Sequence, residues 1–280
     1  MTVQVAEGEV KLRDGRTLAY VGWGAETGPV GVLCHPSAGV VPAGWEVAGD
    51  LGVRVVLPDR PGTGRSSFQA GRSIIDWPPD VAELMTKLGV GRFSVIGVSA
   101  CTAYALSCGV LLAPRLDRLG IIAGTVPSED NATGLAGLAI SDLGAALREL
   151  RLSAQQVVDD IPASVRRLGE RPDPDGPLYR RPEVQAAGIA AGRNTYRQGV
   201  EGPAYDALLR LLPWGFAIGD IARPCLWWHG EADSVVPPSR IERAVAREAK
   251  YELQLVQGAG HGICITHVGP FLRDLLRSAE

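Results

Sequence analysis

The stretch Phe93-Ser94-Val95-Ile96-Gly97-Val98-Ser99-Ala100-Cys101 decides the fold of this 280-residue chain. An apolar segment typical of a buried strand ends here, a helix-like segment begins, and Ser99 lies at the turn between them. Such a turn lifts a serine hydroxyl above a sheet, and small residues two positions before and after it let strand and helix pass closely. Gly97 meets that requirement, whereas Cys101 stands where glycine is usual. Five residues alone also fit an ordinary helix start with Ser99 as its N-cap.

The segments around this turn predict an α/β fold. After an antiparallel hairpin of residues 10–12 and 17–23, short apolar runs recur at residues 30–33, 53–57, 93–96, 119–123, 225–228 and 253–256. Segments long enough for helices separate most of them, which is typical of buried parallel strands joined by crossovers. A mostly parallel, doubly wound sheet binds ligands beyond the carboxyl ends of its strands, and Ser99 follows such an end.

Strand-like runs are absent from the sequence between residues 127 and 214. Helices are predicted there at residues 141–150, 153–168, 182–196 and 203–212, the second beginning at a capping box of Ser153 and Gln156. Other helices are predicted at residues 75–88, 100–112, 239–249 and 265–278. We therefore expect an α/β core, residues 1–126 and 215–280, with a helical cap, residues 127–214, inserted after the sixth strand.

A serine hydroxyl becomes a good nucleophile when a base takes its proton and an acid orients that base. Two loops after predicted strands supply such partners: Asp233 follows the strand at 225–228, and His261 lies between glycines after the last strand. The order along the chain is then Ser99, Asp233, His261. The alternatives are His267 as the base, or another acid from the set Glu231, Asp220, Glu129 and Asp130.

Together these motifs carry a resemblance to a known superfamily. Through the glycine-rich loop at residues 59–66, the turn at Ser99 and the loops of Asp233 and His261, the chain resembles the α/β-hydrolase fold superfamily over essentially its whole length. Residues 197–202, 213–216 and 228–233 look like a cap-bearing subgroup often found in actinobacteria. The resemblance implies the α/β-hydrolase fold, with Ser99 as nucleophile, His261 as base and Asp233 as its orienting acid.

Acyl transfer also needs donors for the developing oxyanion. One is expected from the backbone NH of Ala100, which follows the nucleophile. Relatives usually carry His-Gly in the loop that supplies the second donor, whereas this chain has His35-Pro36. Proline has no NH, so the NH of Ser37 is the predicted donor, and the Ser37 hydroxyl is a candidate for a further polar contact. His35 is a candidate for contact with substrate, the alternative being a hydrogen bond to its own loop.

Aromatic side chains are candidates to line an apolar pocket between cap and sheet, with ordinary core packing as the alternative for each. They are Trp45, Trp77, Tyr196, Trp214 and Phe216. A pocket of this composition would fit a small, largely apolar molecule better than a peptide or polysaccharide.

Composition argues against several other classes of function. A formal net charge of −3 gives no basic field for nucleic acid or an anionic membrane, and no apolar stretch is long enough to span a bilayer. The N-terminal residues lack a signal-peptide pattern. Five cysteines without CxxC spacing predict reduced thiols and a cytoplasmic protein.

The sequence also predicts no cofactor. Its histidines and cysteines lack zinc-site spacing, and the loop at residues 59–66 lacks the lysine of a phosphate-binding loop. The expected partner is a small-molecule substrate, and a homodimer is compatible with the sequence.

These observations predict a serine hydrolase that cleaves an ester, thioester or lactone through an acyl-enzyme. Two alternatives stay open. The same residues could hydrolyse a carbon-carbon bond or eliminate a leaving group in natural-product metabolism, because fold and triad do not settle the reaction. The second alternative is a ligand receptor that retains the triad but catalyses no reaction.

Overall fold

A computed structural model describes residues 5–127, 134–172 and 174–276. Eight strands form one sheet at its centre. They are β1 (Val5–Lys11), β2 (Thr17–Gly24), β3 (Val30–Cys34), β4 (Arg54–Pro58), β5 (Phe93–Val98), β6 (Leu116–Ile122), β7 (Cys225–Gly230) and β8 (Tyr251–Val256).

The order of strands across the sheet is β1-β2-β4-β3-β5-β6-β7-β8. β1 pairs antiparallel with β2, and β2 pairs antiparallel with β4. Every pair from β4 to β8 is parallel. The prediction of a mostly parallel α/β sheet with an opening antiparallel hairpin is therefore confirmed.

Helices cover both faces of this sheet and form a separate group between β6 and β7. Those of the core are α1 (Trp77–Lys87), α2 (Thr102–Leu111), α9 (Pro238–Val245), α10 (Ile263–Thr266) and α11 (Val268–Leu275). Those of the insertion, which we call the cap, are α3 (Gly134–Ser141), α4 (Leu143–Asp159), α5 (Ile161–Arg167), α6 (Asp175–Tyr179), α7 (Pro182–Thr195) and α8 (Glu201–Leu211). The helical insertion after the sixth strand is as predicted.

Alternation along the strands divides the core into two layers. Val95 of β5 packs in the cluster that includes residues of α1, α2 and α9, whereas the next residue, Ile96, packs in the cluster that includes residues of α11. Every residue of β3, β5 and β7 is buried because both faces of these central strands are covered. Burial on both faces fixes the position of the strand ends that carry the site.

Two helices of the cap, α3 and α6, were not predicted, and the boundary between α4 and α5 differs from the prediction. Ser153 does not begin a helix: it lies inside α4, which runs on to Asp159. The break comes at Asp160, whose carboxylate accepts the NH of Ala163 at 2.7 Å and caps α5. α4 is capped in the same way by Asp142, which accepts the NH of Ala145. Aspartate caps decided these boundaries, and the Ser153 pattern had no structural consequence.

No helix in the described ranges is both long and apolar enough to cross a membrane.

Candidate active site

Ser99 lies on the turn that joins β5 to α2. Its φ of 48° falls in the left-handed region, which residues other than glycine rarely adopt. Close packing around Gly97 accounts for the sharpness of the turn, because a Cβ there would lie 2.7 Å from both Ala105 Cβ and Ile121 Cδ1. The missing side chain lets β5 and α2 approach, and Ser99 is held at the carboxyl end of the strand.

Cys101 needs no glycine-like backbone. Its φ of −95° is ordinary for an L residue. The side chain is buried and lines a cavity of about 180 Å³ that Arg60 and Asp206 also line. A thiol is therefore accommodated at the position where glycine is usual in such turns.

His261 connects Ser99 to Asp233. Ser99 Oγ lies 2.8 Å from His261 Nε2, and His261 Nδ1 lies 2.8 Å from Asp233 Oδ2. Because an ionised carboxylate only accepts hydrogen bonds, the Nδ1 hydrogen is directed to Asp233 and Nε2 can accept the serine proton. The three side chains form a continuous relay from a buried acid to a hydroxyl at the cavity.

Asp233 is held as a carboxylate. Burial alone would raise its pKa, but the hydrogen bond and charge of His261 and the backbone NH groups of Val236 and Val235 outweigh it and lower the pKa below its usual value. Those two NH groups donate to Asp233 Oδ1 at 2.9 and 2.8 Å. The acid therefore carries its negative charge where the imidazolium would form.

A second imidazole supports this acid. His229 Nε2 lies 3.2 Å from Asp233 Oδ2 and 2.9 Å from the carbonyl oxygen of Val236, and the His229 side chain is fully buried. Burial lowers the pKa of His229, so its ring is neutral and Nε2 carries the hydrogen that both oxygens accept. Asp233 is thus fixed from both sides.

The backbone of the His261 loop is held from the cap. Asp175, at the start of α6, is buried and accepts the NH of His261 through Oδ2 and the NH of Gly262 through Oδ1, both at 2.8 Å. A Cβ on Gly260 or Gly262 would collide with Asp175 or with Leu178 beside it. The glycines on either side of His261 make room for a cap carboxylate.

The other candidate acids and base are placed elsewhere. Glu231 is exposed, Asp220 caps a turn by accepting the NH of Ala217, and His267 Nδ1 bonds Thr266 Oγ1. Glu129 and Asp130 lie outside the described residues. Asp233 is therefore the carboxylate that bonds His261 in the described structure.

Of the two predicted oxyanion donors, the NH of Ala100 follows Ser99 in the chain, and Ser37, which lines the same cavity as Ser99, has its NH engaged. The NH of Ser37 donates to His35 Nδ1 at 3.0 Å. The two following NH groups are engaged as well, that of Ala38 by Thr195 Oγ1 and that of Gly39 by Asp59 Oδ1. Ser37 must turn its NH from the imidazole before it can face an oxyanion.

His35 bonds its own loop, as the simpler sequence interpretation held, and it also lines the cavity beside Ser99. Burial, reinforced by the charge of Arg60, lowers its pKa to about 3, so the ring is neutral. Since Nδ1 accepts from Ser37, the hydrogen of the ring lies on Nε2.

A network of buried ion pairs and hydrogen bonds holds the His35 loop in place. The Arg60 guanidinium donates to the carbonyl oxygens of His35 and Pro36, and its Nε donates to Asp206 of the cap at 2.8 Å. Arg72 Nη2 bonds the same carboxylate at 3.0 Å, and the Tyr104 hydroxyl donates to it. Arg60, in the loop at residues 59–66, thus fixes the His35 loop and ties it to α8.

Ser99 and His261 line a cavity of about 260 Å³. Its core side is formed by residues from the His35 loop, the Ser99 turn and the His261 loop, and its cap side by residues of α5, α6, α7 and the segment after α5. The cap residues are Val165, Leu168, Arg171, Tyr179, Val184, Ala187, Gly188 and Ala191. Small residues on α7 leave the space open, and mostly apolar side chains surround it.

None of the five aromatic residues predicted to line this cavity is among its lining residues. Trp45, Trp77 and Trp214 are buried in the two core layers, and Phe216 packs against Trp214 with ring centroids 5.9 Å apart. Tyr196 lines the smaller cavity beside Cys101. Large aromatic rings gain most by filling the core of this fold, and the main cavity is lined mostly by aliphatic and small residues, with Tyr179 as an aromatic residue that was not predicted there.

Cys264 is the other side chain of the cavity that could act as a nucleophile. Burial raises the pKa of its thiol to about 12, so it stays protonated and unreactive at neutral pH. No group of three or more His, Cys, Asp or Glu side chains suited to a metal ion occurs within residues 5–127, 134–172 and 174–276.

Sequence comparison agrees with this architecture. The model of the alpha/beta hydrolase family matches residues 32–272. The chain belongs to this family. A search of curated proteins gave no match. Membership of the family accounts for the serine turn at the end of β5 and for the acid and histidine loops after β7 and β8.

Solved structures share the fold over nearly the whole length. A hydrolase from Pseudomonas aeruginosa PA01 is 21% identical with a TM-score of 0.72, covering 97% of this chain and 98% of that one. An esterase from Thermogutta terrifontis is 20% identical with a TM-score of 0.69 and the same coverage. Epoxide hydrolase A from Mycobacterium thermoresistibile is 22% identical with a TM-score of 0.69, covering 99% of both chains. At these identities the likeness concerns the fold.

Three residues of this α/β hydrolase site were missed by sequence reasoning. His229, at the end of β7, is signalled only by its position four residues before Asp233. Arg60 lies in the glycine-rich loop at residues 59–66, whose sequence pattern does not indicate a contact with the His35 loop. Asp175 lies in a Pro/Gly-rich break of the cap, and no local pattern signals it, because its partners are 86 and 87 residues away.

Proposed function

We propose that the protein is a serine hydrolase that cleaves an ester or thioester of a small molecule through an acyl-enzyme. The observation that carries this proposal is the hydrogen-bond relay Ser99–His261–Asp233, with 2.8 Å at each step and Ser99 facing a cavity. The cavity is slightly smaller than the roughly 300 to 1,000 Å³ typical of sites for drug-sized ligands, which favours a small substrate. Five buried free cysteines are compatible with action in the cytoplasm.

In the first half of the reaction, Ser99 Oγ attacks the substrate carbonyl carbon while His261 Nε2 takes the hydroxyl proton. The imidazolium that forms is stabilised by the Asp233 carboxylate. Collapse of the tetrahedral intermediate breaks the bond to the leaving group, which receives the proton from His261. The products of this half are an acyl-Ser99 ester and a free alcohol or thiol.

In the second half, His261 takes a proton from water, and the resulting hydroxide attacks the acyl carbon. Breakdown returns the proton from His261 to Ser99 Oγ and releases the carboxylic acid. In each half of the reaction, the oxyanion accepts a hydrogen bond from the Ala100 NH. It accepts a second one from the Ser37 NH once that NH has turned away from His35. A neutral His35 is compatible with that exchange, because it releases the NH without leaving a buried charge unpaired.

Labelling and turnover test the proposal together. A fluorophosphonate probe should modify Ser99, identified by peptide mass spectrometry, and Ser99→Ala should lose both labelling and hydrolysis of short p-nitrophenyl esters. His261→Ala should lose turnover by about 10³-fold or more. His267→Ala is the matched control and should retain turnover.

Two outcomes would contradict the proposal. Activity that survives Ser99→Ala but is lost in His261→Ala would assign the histidine to proton transfer in an elimination. Labelling of Ser99 without turnover of any ester would leave a ligand receptor as the better description.

A further inference from the structure

Arg171 gives the cavity a polarity that its other walls lack. Apart from the catalytic His261, it is the one residue with a cationic side chain among the described residues that line the cavity. The neighbouring cap residues, including Val165, Leu168 and Val184, present aliphatic carbon. Because Arg171 is only half-buried, its guanidinium stands in a mostly apolar wall without being fully desolvated.

The guanidinium is held in place by an aromatic ring. Its central carbon lies 5.1 Å from the ring centroid of Tyr179, within the range of a cation–π contact. This contact holds the guanidinium beside the Tyr179 ring. The cation is therefore placed at the cavity wall before any ligand arrives.

Arg171 has no anionic partner within the described part of the chain. No ion pair or hydrogen bond joins its guanidinium to another described residue. The buried acid nearest to it in sequence, Asp175, directs its two oxygens at the backbone NH groups of His261 and Gly262. The charge of Arg171 is thus left for a group that enters the cavity.

Tyr179 offers a second donor on the same wall. Burial raises the pKa of its phenol, so the hydroxyl keeps its proton at neutral pH. That hydroxyl makes no hydrogen bond to another residue within the described ranges. A planar fork of N–H groups with a neighbouring O–H matches the geometry of a carboxylate, which accepts two parallel hydrogen bonds from arginine.

We propose that Arg171, with Tyr179, binds a free carboxylate of the substrate at the end remote from the scissile bond. The substrates are then small esters or thioesters that carry a carboxylate, such as monoesters of short dicarboxylic acids. The scissile carbonyl lies at Ser99, and the chain between the two groups crosses the apolar part of the cavity. This inference rests on the proposed hydrolase function and specifies its substrate class.

Matched esters test the inference. The p-nitrophenyl monoesters of succinate, glutarate and adipate are compared with neutral isosteres in which an isopropyl group replaces the terminal carboxylate. We expect kcat/KM to favour the carboxylate by about tenfold or more at one of these lengths, the size of one charge-assisted pair. Arg171→Gln should lower this ratio about tenfold, and Arg171→Lys should lower it less because the charge remains.

Arg193→Gln is the control, since it removes an exposed arginine of the same cap that does not line the cavity. A fall in the ratio with this variant would mean general attraction of anions by the cap and would overturn the inference. So would a wild-type enzyme that hydrolyses the neutral isosteres equally well at all three lengths, a result that leaves the proposed hydrolase function intact.

A binding measurement distinguishes failure of this inference from failure of the proposed hydrolase function. Ser99→Ala protein is titrated calorimetrically with monomethyl adipate and with dimethyl adipate, and the double variant with Arg171→Gln is titrated in parallel. Preference for the monoester that disappears in the double variant supports the inference even if no ester is hydrolysed. Equal binding of the two adipates, or binding of neither, overturns it.

Discussion

The carboxylate of Asp175 accepts the backbone NH of His261 at 2.8 Å, and this contact joins the cap to the His261 loop. The second oxygen of the same group holds Gly262. The imidazole of His261 meanwhile bonds Ser99 and Asp233, both of which belong to the core. The position of the proposed base thus depends on two structural units at once.

Asp175→Asn tests this positioning role. The amide nitrogen of asparagine would face a backbone NH, so one donor would lose its acceptor, at a cost of about 1–3 kcal/mol in unfolding free energy. We expect kcat for a p-nitrophenyl ester to fall about tenfold while KM changes by less than about twofold, because orientation rather than binding is affected. Steady-state kinetics and urea denaturation measure the two effects.

The matched control is Asp159→Asn, an exposed aspartate of α4 whose carboxylate bonds Gln155. It should leave kcat and stability nearly unchanged. A loss of stability in Asp175→Asn with wild-type kcat for the folded protein would reduce Asp175 to a purely structural contact.

Gly97→Ala should destabilise the fold at the serine turn. The added methyl group would lie 2.7 Å from Ala105 Cβ and Ile121 Cδ1, so β5 and α2 would have to separate, at a cost of about 1–3 kcal/mol. Gly91→Ala is the control, because a Cβ there meets open space. Equal denaturation midpoints for the two variants would contradict the close-packing explanation.

Cys101→Gly should also destabilise the protein. The backbone at this position is already ordinary, so glycine adds flexibility to the unfolded chain and removes a buried side chain, together costing about 1–3 kcal/mol. Cys101→Ala should cost less, since it adds no backbone freedom. Guanidinium denaturation ranks the variants, and greater stability of the glycine variant would show that the turn prefers glycine after all.

Asp206 makes the unfolding free energy depend on pH in the acid range. Burial alone would raise its pKa, but the charges of Arg60, Arg72 and Arg210 outweigh it and lower the pKa well below the usual 3.8. The pKa of Asp206 is lower in the folded than in the unfolded state. Its carboxylate therefore stabilises the fold fully above about pH 4, and this stabilisation is lost as the pH falls toward the folded-state pKa. Asp206→Asn should therefore lower the unfolding free energy at pH 7 by about 3–5 kcal/mol, and the difference should shrink below pH 4.

Urea denaturation at several pH values measures this difference. Asp117→Asn is the control: it breaks an exposed pair with Arg92 and should cost no more than about 1 kcal/mol at any pH. A gap between wild type and Asp206→Asn that stays constant into acid would mean that the carboxylate charge is not the stabilising feature.

The elements that position Ser99, Asp233 and His261 were predictable because their signals are local. Short apolar runs that end in glycine- or proline-rich loops identify parallel strands, and the carboxyl ends of parallel strands lie on one edge of the sheet. Three chemically matched side chains at three such ends were bound to lie near one another. The observed distances follow from that topology.

The cap was less predictable. The choice between Ser153 and Asp160 as a helix start depends on which side chain is free to cap, and a sequence pattern does not show this. The aromatic residues failed as pocket predictions for a different reason: aromatic character suits a core and a pocket equally, and only packing distinguishes them. Contacts over a long sequence separation, such as that between Asp175 and His261, leave no local signal.

The strand order has a consequence for synthesis of the chain. Ser99 is translated before the cap, whereas Asp233 and His261 follow strands β7 and β8, which are translated after it. Under the proposed mechanism, a nascent chain that has emerged only through the cap has no base for its serine. Hydrolysis would then begin only when β7 and β8 have joined the sheet, and translation itself delays the reactivity of the serine.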